Sequence, residues 1–363
     1  MSKGNGMGIE EGRNRRDFLK TLGAAAVALG APAPARAAAA APRFGIDMFS
    51  VGAQKWTPFQ QLAFAARMQA KVIHFSEIRF LGSLEPDHLR QVRARADELG
   101  LDVEIGMRSI CPTSTTFDKA AGTAEEQLAR LVEAAAIMRS PIVRAFLGSS
   151  ADRKTGIEQH IDETVKVLRN LRSRIMDAGV KIAVENHAGD MQARELKMLV
   201  EAAGPEFVGV TFDSGNSAWT IEDPHLTLDV LAPYVLTSHL RDSAIWNTPE
   251  GMAVRWTRMG EGTIGMEDLI RAFVQKCPAK SVTIEVIVTP QPRMFDYRNP
   301  AFWELYKKTP AWEFSRFLAL GEKGRPVPDT SDPNASPVER NLAHAEASAK
   351  WTREFLAAVP AAG

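Results

Sequence analysis

From position 44 onward, short apolar segments alternate with segments in which apolar residues recur every three or four positions. Short apolar runs bounded by polar residues are typical of buried strands, and the three-to-four spacing indicates amphipathic helices. The chain therefore repeats a strand-helix unit. The pattern predicts eight strands, at residues 44–48, 72–75, 101–106, 142–146, 182–184, 208–212, 235–238 and 282–286.

The segment between the second and third strands illustrates the helical period. Leu89, Val92 and Ala96 share one face, and Gly100 follows as a helix stop. Strict alternation of strands and helices predicts a parallel sheet, and eight repeats favour a closed (β/α)8 TIM barrel over an open doubly wound sheet. The open sheet is further disfavoured because no glycine-rich dinucleotide-binding fingerprint follows the first strand.

Two segments extend beyond the repeat. Residues 243–259, which carry Trp246 and Trp256, are predicted to form a long loop after the seventh strand. We assign residues 44–322 to the barrel and 323–363 to a linker and a C-terminal helix. We expect that helical extension to pack on the barrel or on a neighbouring subunit, which leaves a homo-oligomer open.

The first 37 residues have the form of a twin-arginine signal peptide. Arg15 and Arg16 are adjacent, an Ala-rich apolar run follows from Leu22, and small residues flank a cleavage site after Ala37. The alternative is an Ala-rich leader without an export role. We expect the twin-arginine machinery to export the folded protein to the periplasm, with no stable membrane anchor.

Charge and cysteine content exclude several classes of partner. The chain has 44 Lys and Arg against 44 Asp and Glu, a balance that argues against nucleic acid or an anionic membrane surface. The two cysteines, Cys111 and Cys277, are too few for a disulfide framework. They are predicted at opposite ends of the barrel, so we expect both as thiols.

Four predicted strands end in a polar residue that could carry chemistry: Glu185, Asp213, His239 and Glu285. The carboxyl ends of all strands in a parallel barrel face the same mouth, so these side chains are expected to converge. Crowded carboxylates repel one another unless a cation holds them. Three carboxylates and one imidazole suit one divalent metal ion, Mn²⁺ first, with Co²⁺, Mg²⁺, Fe²⁺ or Zn²⁺ as alternatives.

The placement of these four residues, with the stretches TFDSGN and SHLRD, resembles the xylose isomerase-like TIM barrel family. That family includes sugar phosphate isomerases/epimerases, ketose 3-epimerases, inosose isomerases and inosose dehydratases. The resemblance covers about residues 44–288 and implies that Glu185, Asp213, His239 and Glu285 bind one metal ion. It also implies that the two glutamates transfer protons on opposite faces of the substrate, through an enediolate that the metal stabilises.

Three further residues are candidate substrate contacts. Asn216 stands where several epimerases of the family have a second histidine, which leaves the reaction subtype open. Arg241 matches a basic position of the inosose enzymes and could hold a substrate oxygen, the alternative being a surface ion pair with Asp242. His187 lies two residues beyond Glu185 on the same strand face, with a hydrogen-bonded structural role as its alternative.

His74 closes the second strand, whereas Trp56 and Arg108 follow the first and third strands, and all three are weaker candidates for substrate binding. A histidine at a strand end is often a structural residue, and a large aromatic residue in a loop often caps the core. The other histidines lie in predicted helices or loops, where we expect solvent exposure: His88, His160, His225 and His344.

The sequence favours a non-phosphorylated sugar, cyclitol or keto-sugar as substrate. The loop after the eighth strand contains prolines where a barrel phosphate site would use backbone amides, and an exported enzyme meets few sugar phosphates. The leading hypothesis is a metal-dependent isomerase or epimerase. A lyase or dehydratase acting on inososes or 3-keto-glycosides would use the same residues. A non-catalytic periplasmic carbohydrate-binding barrel is the second alternative, and a barrel nuclease would need more histidines and a basic face.

Overall fold

The computed structural model of the protein describes residues 42–279 and 281–359, so the predicted signal peptide lies outside the described range. None of the helices within that range is both long and apolar enough to cross a membrane. Eleven strands are present in the described residues: β1 Arg43–Asp47, β2 Val72–Phe75, β3 Asp102–Ser109, β4 Ile142–Phe146, β5 Lys181–Glu185, β6 Val208–Phe212, β7 Val235–Ser238, β8 Asp242–Thr248, β9 Gly251–Thr257, β10 Ser281–Ile284 and β11 Arg293–Phe295.

Eight of the strands found in 42–279 and 281–359 form one parallel sheet in the order β10-β1-β2-β3-β4-β5-β6-β7. The two edges of this sheet meet just beyond β7. There the Leu240 amide donates to the Thr283 carbonyl at 2.9 Å, and the Glu285 amide donates to the Leu240 carbonyl at 3.1 Å. The sheet thereby closes on itself, which confirms the predicted (β/α)8 TIM barrel.

Helices follow the strands, and several begin at capping boxes that the sequence encodes. Thr57 with Gln60 and Thr123 with Glu126 satisfy free amides reciprocally at two helix starts. Gly100, at a φ of 65°, follows the end of the third helix as expected. The helices are α1 Pro58–Arg67, α2 Ile78–Leu81, α3 Pro86–Glu98, α4 Ala124–Met138, α5 Ile157–Asn170, α6 Arg172–Asp177, α7 Ala193–Ala203, α8 Ser214–Trp219, α9 Pro224–Leu231, α10 Met266–Lys276, α11 Ala311–Lys323 and α12 Pro337–Ala358.

The hydrophobic core lies between the strands and the helices, whereas the barrel interior holds polar groups. Leu89, Val92 and Ala96, the predicted inner face of α3, are fully buried. Thr237 on β7 donates from its hydroxyl to Glu104 on β3 at 2.6 Å. Because β3 and β7 are not neighbours in the sheet, this hydrogen bond crosses the interior. The barrel therefore encloses a polar layer directly beneath its mouth.

The prediction that residues 243–259 form a loop is wrong. β8 and β9 pair as an antiparallel hairpin from Asp242 opposite Thr257 to Thr248 opposite Gly251, and β11 pairs with β9 to make a three-stranded sheet. The residues between the two strands are few, and Gly251 supplies the positive φ of 132° that the reversal needs. The seventh strand is thus followed by a small accessory sheet.

The C-terminal helix α12 packs on the barrel of its own chain. The Asn341 side-chain amide donates to the Ser50 carbonyl at 3.0 Å, near the end of β1. Further along α12, Arg353 donates to the Met68 carbonyl at 3.1 Å. The extension therefore reaches the loop that follows the first strand, at the mouth of the barrel. Both cysteines are free thiols, as expected.

Candidate active site

Four side chains from the ends of β5, β6, β7 and β10 meet inside the mouth of the barrel. Glu185, Asp213, His239 and Glu285 each offer one ligand atom, and these four atoms lie within 4.8 Å of one another. All four residues are buried, with Glu185, Asp213 and His239 fully enclosed. The structure thus brings together the four residues that the sequence singled out.

His239 occupies the centre of this cluster. Its Nδ1 lies 3.0 Å from Glu185 Oε2 and 3.4 Å from Glu285 Oε2. This Nδ1 atom is buried and has no hydrogen-bond partner among the described residues. A bare imidazole nitrogen facing carboxylate oxygens is the arrangement that a divalent cation satisfies, so the donor set fits a metal ion.

The opposite nitrogen of His239 is held by a second histidine. His239 Nε2 lies 2.9 Å from His74 Nδ1, and the two rings cross the barrel interior between β2 and the end of β7. Burial, followed by the charge of His239, holds the pKa of His74 well below its usual value, so His74 is neutral. A neutral His74 can accept a hydrogen bond from Nε2–H, which directs Nδ1 of His239 toward the carboxylates. Without a cation, the charges of Glu185 and Asp47 outweigh burial and raise the pKa of His239 to about 10, so a metal ion would take the place of the proton on Nδ1.

Arg144, which sequence reasoning missed, forms an ion pair with Glu185. Its Nε lies 2.5 Å from Glu185 Oε2, and its Nη1 donates to the Met107 carbonyl at 3.1 Å. Burial alone would raise the pKa of Glu185, but the charges of Arg144 and His239 outweigh it and hold that pKa well below its usual value. The available signal was an arginine in the middle of the apolar strand IVRAF, since a buried charge requires a partner.

Arg241 links the other two carboxylates. Its Nη2 lies 2.7 Å from Glu285 Oε2 and also donates to Asp213 Oδ2. Burial raises the pKa of Asp213 to about 7 in spite of Arg241. For Glu285, the Arg241 charge outweighs burial and lowers the pKa. The alternative of a surface pair between Arg241 and Asp242 is wrong, since the Asp242 carboxylate instead accepts backbone amides, among them Gly260 at 2.9 Å.

A column of stacked groups stands behind Arg241. Its guanidinium lies 4.2 Å from the Trp256 ring centroid, and Trp256 stacks on Trp219 at 3.9 Å with an interplanar angle of 11°. Arg293 covers the outer face of Trp219 at 4.6 Å. The accessory sheet, which carries Trp256 and Arg293, therefore fixes the plane of an arginine inside the site.

Asn216 and His187 also lie beside the acidic cluster. The Asn216 amide nitrogen is 3.1 Å from Glu185 Oε1 and 2.9 Å from Asp213 Oδ2. The His187 ring stacks on Phe146 at 3.7 Å, and its Nδ1 donates to a backbone carbonyl at 2.7 Å. Burial lowers the pKa of His187 to about 4, so the neutral ring keeps Nε2 as a hydrogen-bond acceptor.

The remaining predicted substrate contacts take different positions. His74 is fully buried behind His239. Trp56 packs against Phe64 of α1, with ring centroids 5.4 Å apart, which is a core contact. Arg108 is exposed near the end of β3. The expected exposure of two other histidines is wrong, because both are buried: His160 and His344.

Two acidic residues near the cluster were also missed. Asp47, at the end of β1, lies with its Oδ2 3.9 Å from His239 Nε2, and burial raises its pKa to about 6. Glu104 lies 3.4 Å from His74 Nδ1, and burial raises its pKa to about 7. Both are acids within otherwise apolar predicted strands, which was the signal that could have identified them.

Comparison with known proteins assigns this chain to a family. The family model for the xylose isomerase-like TIM barrel matches residues 61–298. The chain belongs to this family. A relative with an assigned activity, the 3-oxo-isoapionate decarboxylase of Pectobacterium atrosepticum, is 24% identical over 179 residues. That match covers 49% of this chain and 58% of the decarboxylase, so the chain spans little more than half of that relative's length.

Solved structures share the fold at low identity. A D-psicose 3-epimerase from Clostridium cellulolyticum H10, solved with D-tagatose, superposes with a TM-score of 0.57 at 12% identity, over 86% of this chain and 99% of the epimerase. An IolI protein with a bound zinc atom gives a TM-score of 0.52 at 14% identity, over 77% and 96% of the two chains. The family and its structural neighbours include enzymes that act on sugars.

Proposed function

We propose that this protein is a divalent-metal-dependent isomerase or epimerase of a non-phosphorylated sugar, cyclitol or keto-sugar. The observation that carries the proposal is the pair of buried carboxylates, Glu185 and Glu285, whose Oε2 atoms lie 3.0 and 3.4 Å from His239 Nδ1. Each is held in its ionised form by its own arginine, Arg144 or Arg241. Two ionised carboxylates at one buried point are suited to removing a proton from carbon.

Glu185, Asp213, His239 and Glu285 would hold the metal ion, Mn²⁺ being our first choice. When bound, the ion would supply the positive charge that makes a C–H bond beside a carbonyl acidic enough for a carboxylate to break. A solved structure of the same fold, the IolI protein, holds a zinc atom, which supports a metal-binding role for the proposed ligands.

The two glutamates would divide the proton transfer. An ionised carboxylate removes the proton that lies alpha to the carbonyl. In an isomerisation, the same carboxyl group returns the proton to the neighbouring carbon, which is the former carbonyl carbon, and the proton of the adjacent hydroxyl moves to the former carbonyl oxygen. In an epimerisation, the other glutamate must deliver a proton to the opposite face, and it must first take that proton from solvent. Two carboxylates near the same nitrogen of His239 are compatible with either route.

Three neighbouring side chains would orient the substrate. Arg241 presents a fixed guanidinium that can donate to a substrate oxygen as negative charge develops on it. His187 offers Nε2 as an acceptor for a sugar hydroxyl. Asn216 can hydrogen-bond a hydroxyl but cannot shuttle a proton, so proton transfer stays with the glutamates.

A lyase is the second candidate, and the decarboxylase relative favours it. If the carbon beta to the carbonyl carries a leaving group, removal of the proton from the alpha carbon ends in elimination. If the alpha carbon itself carries a carboxylate, the C–C bond to that carboxylate breaks, CO₂ leaves with the bond's electrons remaining on the sugar as an enolate, and a protonated glutamate then supplies the proton. Inososes and 3-keto-glycosides are the substrate classes that we would test for elimination.

Incubation of the metal-loaded protein with keto-sugars in deuterated water tests these alternatives. Deuterium incorporation at the carbon beside the carbonyl, without loss of water, aglycone or CO₂, supports an isomerase or epimerase. An unsaturated or decarboxylated product supports a lyase. Tight sugar binding with neither exchange nor product would support a carbohydrate-binding barrel. Export to the periplasm is tested separately, by cell fractionation with both arginines of the Arg15–Arg16 pair replaced by lysine.

A further inference from the structure

A cavity of about 410 Å³ lies where the C-terminal helix meets the mouth of the barrel. One wall is formed by the loops that follow β1, β2 and β10, and the other by the start of α12. Its volume is in the range of sites that hold a small molecule. Pro337, Arg340, Asn341 and His344 line it at positions i, i+3, i+4 and i+7, so the first two turns of α12 present one face to it.

This cavity borders the candidate active site. Val286, which lines it, follows Glu285 directly, and the Val286 amide donates to Ser50 Oγ at 2.8 Å. Phe49 lines the same wall, and its amide donates at 2.8 Å to Asp47, the acid beside His239. The lining thus begins directly after Glu285 of the cluster on one strand, and two residues beyond Asp47 on another.

Cationic donors dominate the polar part of the lining. Arg79 contributes from α2, the short helix after β2, where it is paired with Glu77 at 2.6 Å. Arg340 contributes from α12, and no carboxylate of the described residues lies within ion-pair distance of it. His344 Nδ1 accepts from Arg258 Nε at 2.8 Å, so the ring carries its hydrogen on Nε2 and acts as a donor there. The start of a helix also favours a negative charge.

Acceptors and apolar groups complete the lining. Asn341 Oδ1 is buried and lacks a hydrogen-bond partner among the described residues, so a ligand hydroxyl would satisfy it. Asp329 adds one carboxylate, which disfavours a doubly charged ligand. Phe49, Val286 and Pro290 form an apolar surface on which the C–H face of a sugar chain can pack. The lining therefore combines donors for one negative charge with acceptors for hydroxyl groups.

We propose that this cavity binds the carboxylate end of a sugar acid whose reacting carbons lie at the four-residue cluster. The proposal rests on the proposed function for the identity of the reacting end, and it narrows the substrate to a keto-sugar that carries a carboxylate. Arg340 and His344 bind the carboxylate, and Asn341 and Asp329 accept hydrogen bonds from the hydroxyl groups. The C-terminal extension is thus a substrate-specificity element of the barrel.

Isothermal titration of the full chain, loaded with metal, tests the site without requiring turnover. D-gluconate is the probe, sorbitol is its uncharged counterpart, and inorganic phosphate tests the alternative anion. We expect gluconate to bind more tightly than sorbitol or phosphate. Arg340→Gln should weaken gluconate binding roughly tenfold or more, because a charge-assisted hydrogen bond is lost. Lys350→Gln removes the same charge from an exposed position of α12 and should leave the affinity within about twofold.

Equal binding of sorbitol and gluconate, or an unchanged gluconate affinity in Arg340→Gln, would overturn the proposal. Tighter, Arg340-dependent binding of phosphate would replace the sugar acid by a phosphate ester. If Arg340→Gln does not fold, His344→Gln carries the same test, because His344 is the second residue assigned to the carboxylate. Gluconate binding that depends on Arg340, together with no deuterium exchange on any keto-sugar, would contradict the proposed reaction and leave the cavity assignment standing.

Discussion

The guanidinium of Arg241 lies 4.2 Å from the centroid of the Trp256 ring, and the same guanidinium contacts Asp213 and Glu285. One face of the arginine is thus packed against an indole of the accessory sheet, while its edge reaches two carboxylates of the cluster. Trp219 backs Trp256 at 3.9 Å. An insertion in the barrel therefore determines where a cation stands in the site.

Trp256→Leu is expected to reduce the rate of deuterium exchange roughly tenfold, because Arg241 loses its cation–π contact and its fixed orientation. Trp256→Phe should recover most of the rate, since it retains an aromatic face. The loss should fall mainly on kcat, and circular dichroism should show loss of the exciton signal of the stacked indoles. Trp246→Leu, on β8 of the same hairpin, is the matched control. An equal loss of rate in the control would mean that Trp256 only stabilises the hairpin.

Glu185→Gln is expected to abolish exchange while the barrel remains folded. Glutamine has nearly the same shape and can still accept a hydrogen bond from Arg144, but it cannot take up a proton from carbon. Deuterium incorporation measured by mass spectrometry, alongside circular dichroism, checks both statements. Glu163→Gln, on α5 and paired with Lys166, should keep full activity. Near-normal exchange in Glu185→Gln would overturn its assignment as ligand and base.

Arg144→Gln should lower the free energy of unfolding by about 3–5 kcal/mol, because it leaves the fully buried carboxylate of Glu185 without its partner. Adding Glu185→Gln should restore part of that loss, since the uncompensated charge is then removed as well. Urea denaturation of the wild type, the two single variants and the double variant measures the coupling. Additive losses in the double variant would show that the pair does not act as a unit.

Removal of metal with a chelator should abolish activity and lower the melting temperature. The three carboxylates of the cluster repel one another, and an ion that binds only the folded state stabilises it by about 3–4 kcal/mol at a hundred to a thousand times its Kd. Adding Mn²⁺ back should restore both properties, as followed by scanning calorimetry. Asp213→Asn should weaken this response. A chelated protein with full activity and an unchanged melting temperature would rule out the metal.

Glu222 gives a pH dependence that is separate from the active site. Burial raises its pKa from the ordinary value of 4.5 to about 8, and its carboxylate accepts the Ala193 amide at 3.0 Å. Between these two pH values the folded protein binds a proton that the unfolded chain has released, so the free energy of unfolding falls as the pH rises through that window. Glu222→Gln should flatten this part of the profile. Urea midpoints at pH 5 and pH 8, compared between wild type and variant, isolate its contribution from those of other buried acids.

The accessory sheet and the buried polar groups show where prediction from the sequence ended. The alternation in AVRWT was hidden by the polar residues beside it, so the segment was predicted as a loop. His160 was predicted to be exposed because it lies on a helix, but its ring bridges the hydroxyl groups of Thr113 and Thr155, each at 2.7 Å. A hydrogen-bond partner that is distant along the chain, such as Thr113, can be identified only from the folded structure.

The order of apolar and polar residues by itself determined the barrel and the four side chains at its mouth. In a parallel barrel, the carboxyl ends of all strands lie at the same mouth, so a residue at the end of a predicted strand can be placed at that mouth from the sequence. Which cation balances which carboxylate was decided by the tertiary structure alone. Arg144 pairs with Glu185, 41 residues away, because β4 and β5 are neighbours in the sheet. Arg241 pairs with Glu285, 44 residues away, because closure of the sheet brings the ends of β7 and β10 together. The local sequence does not give the distance between residues on different strands, and the energy of an ion pair depends on that distance.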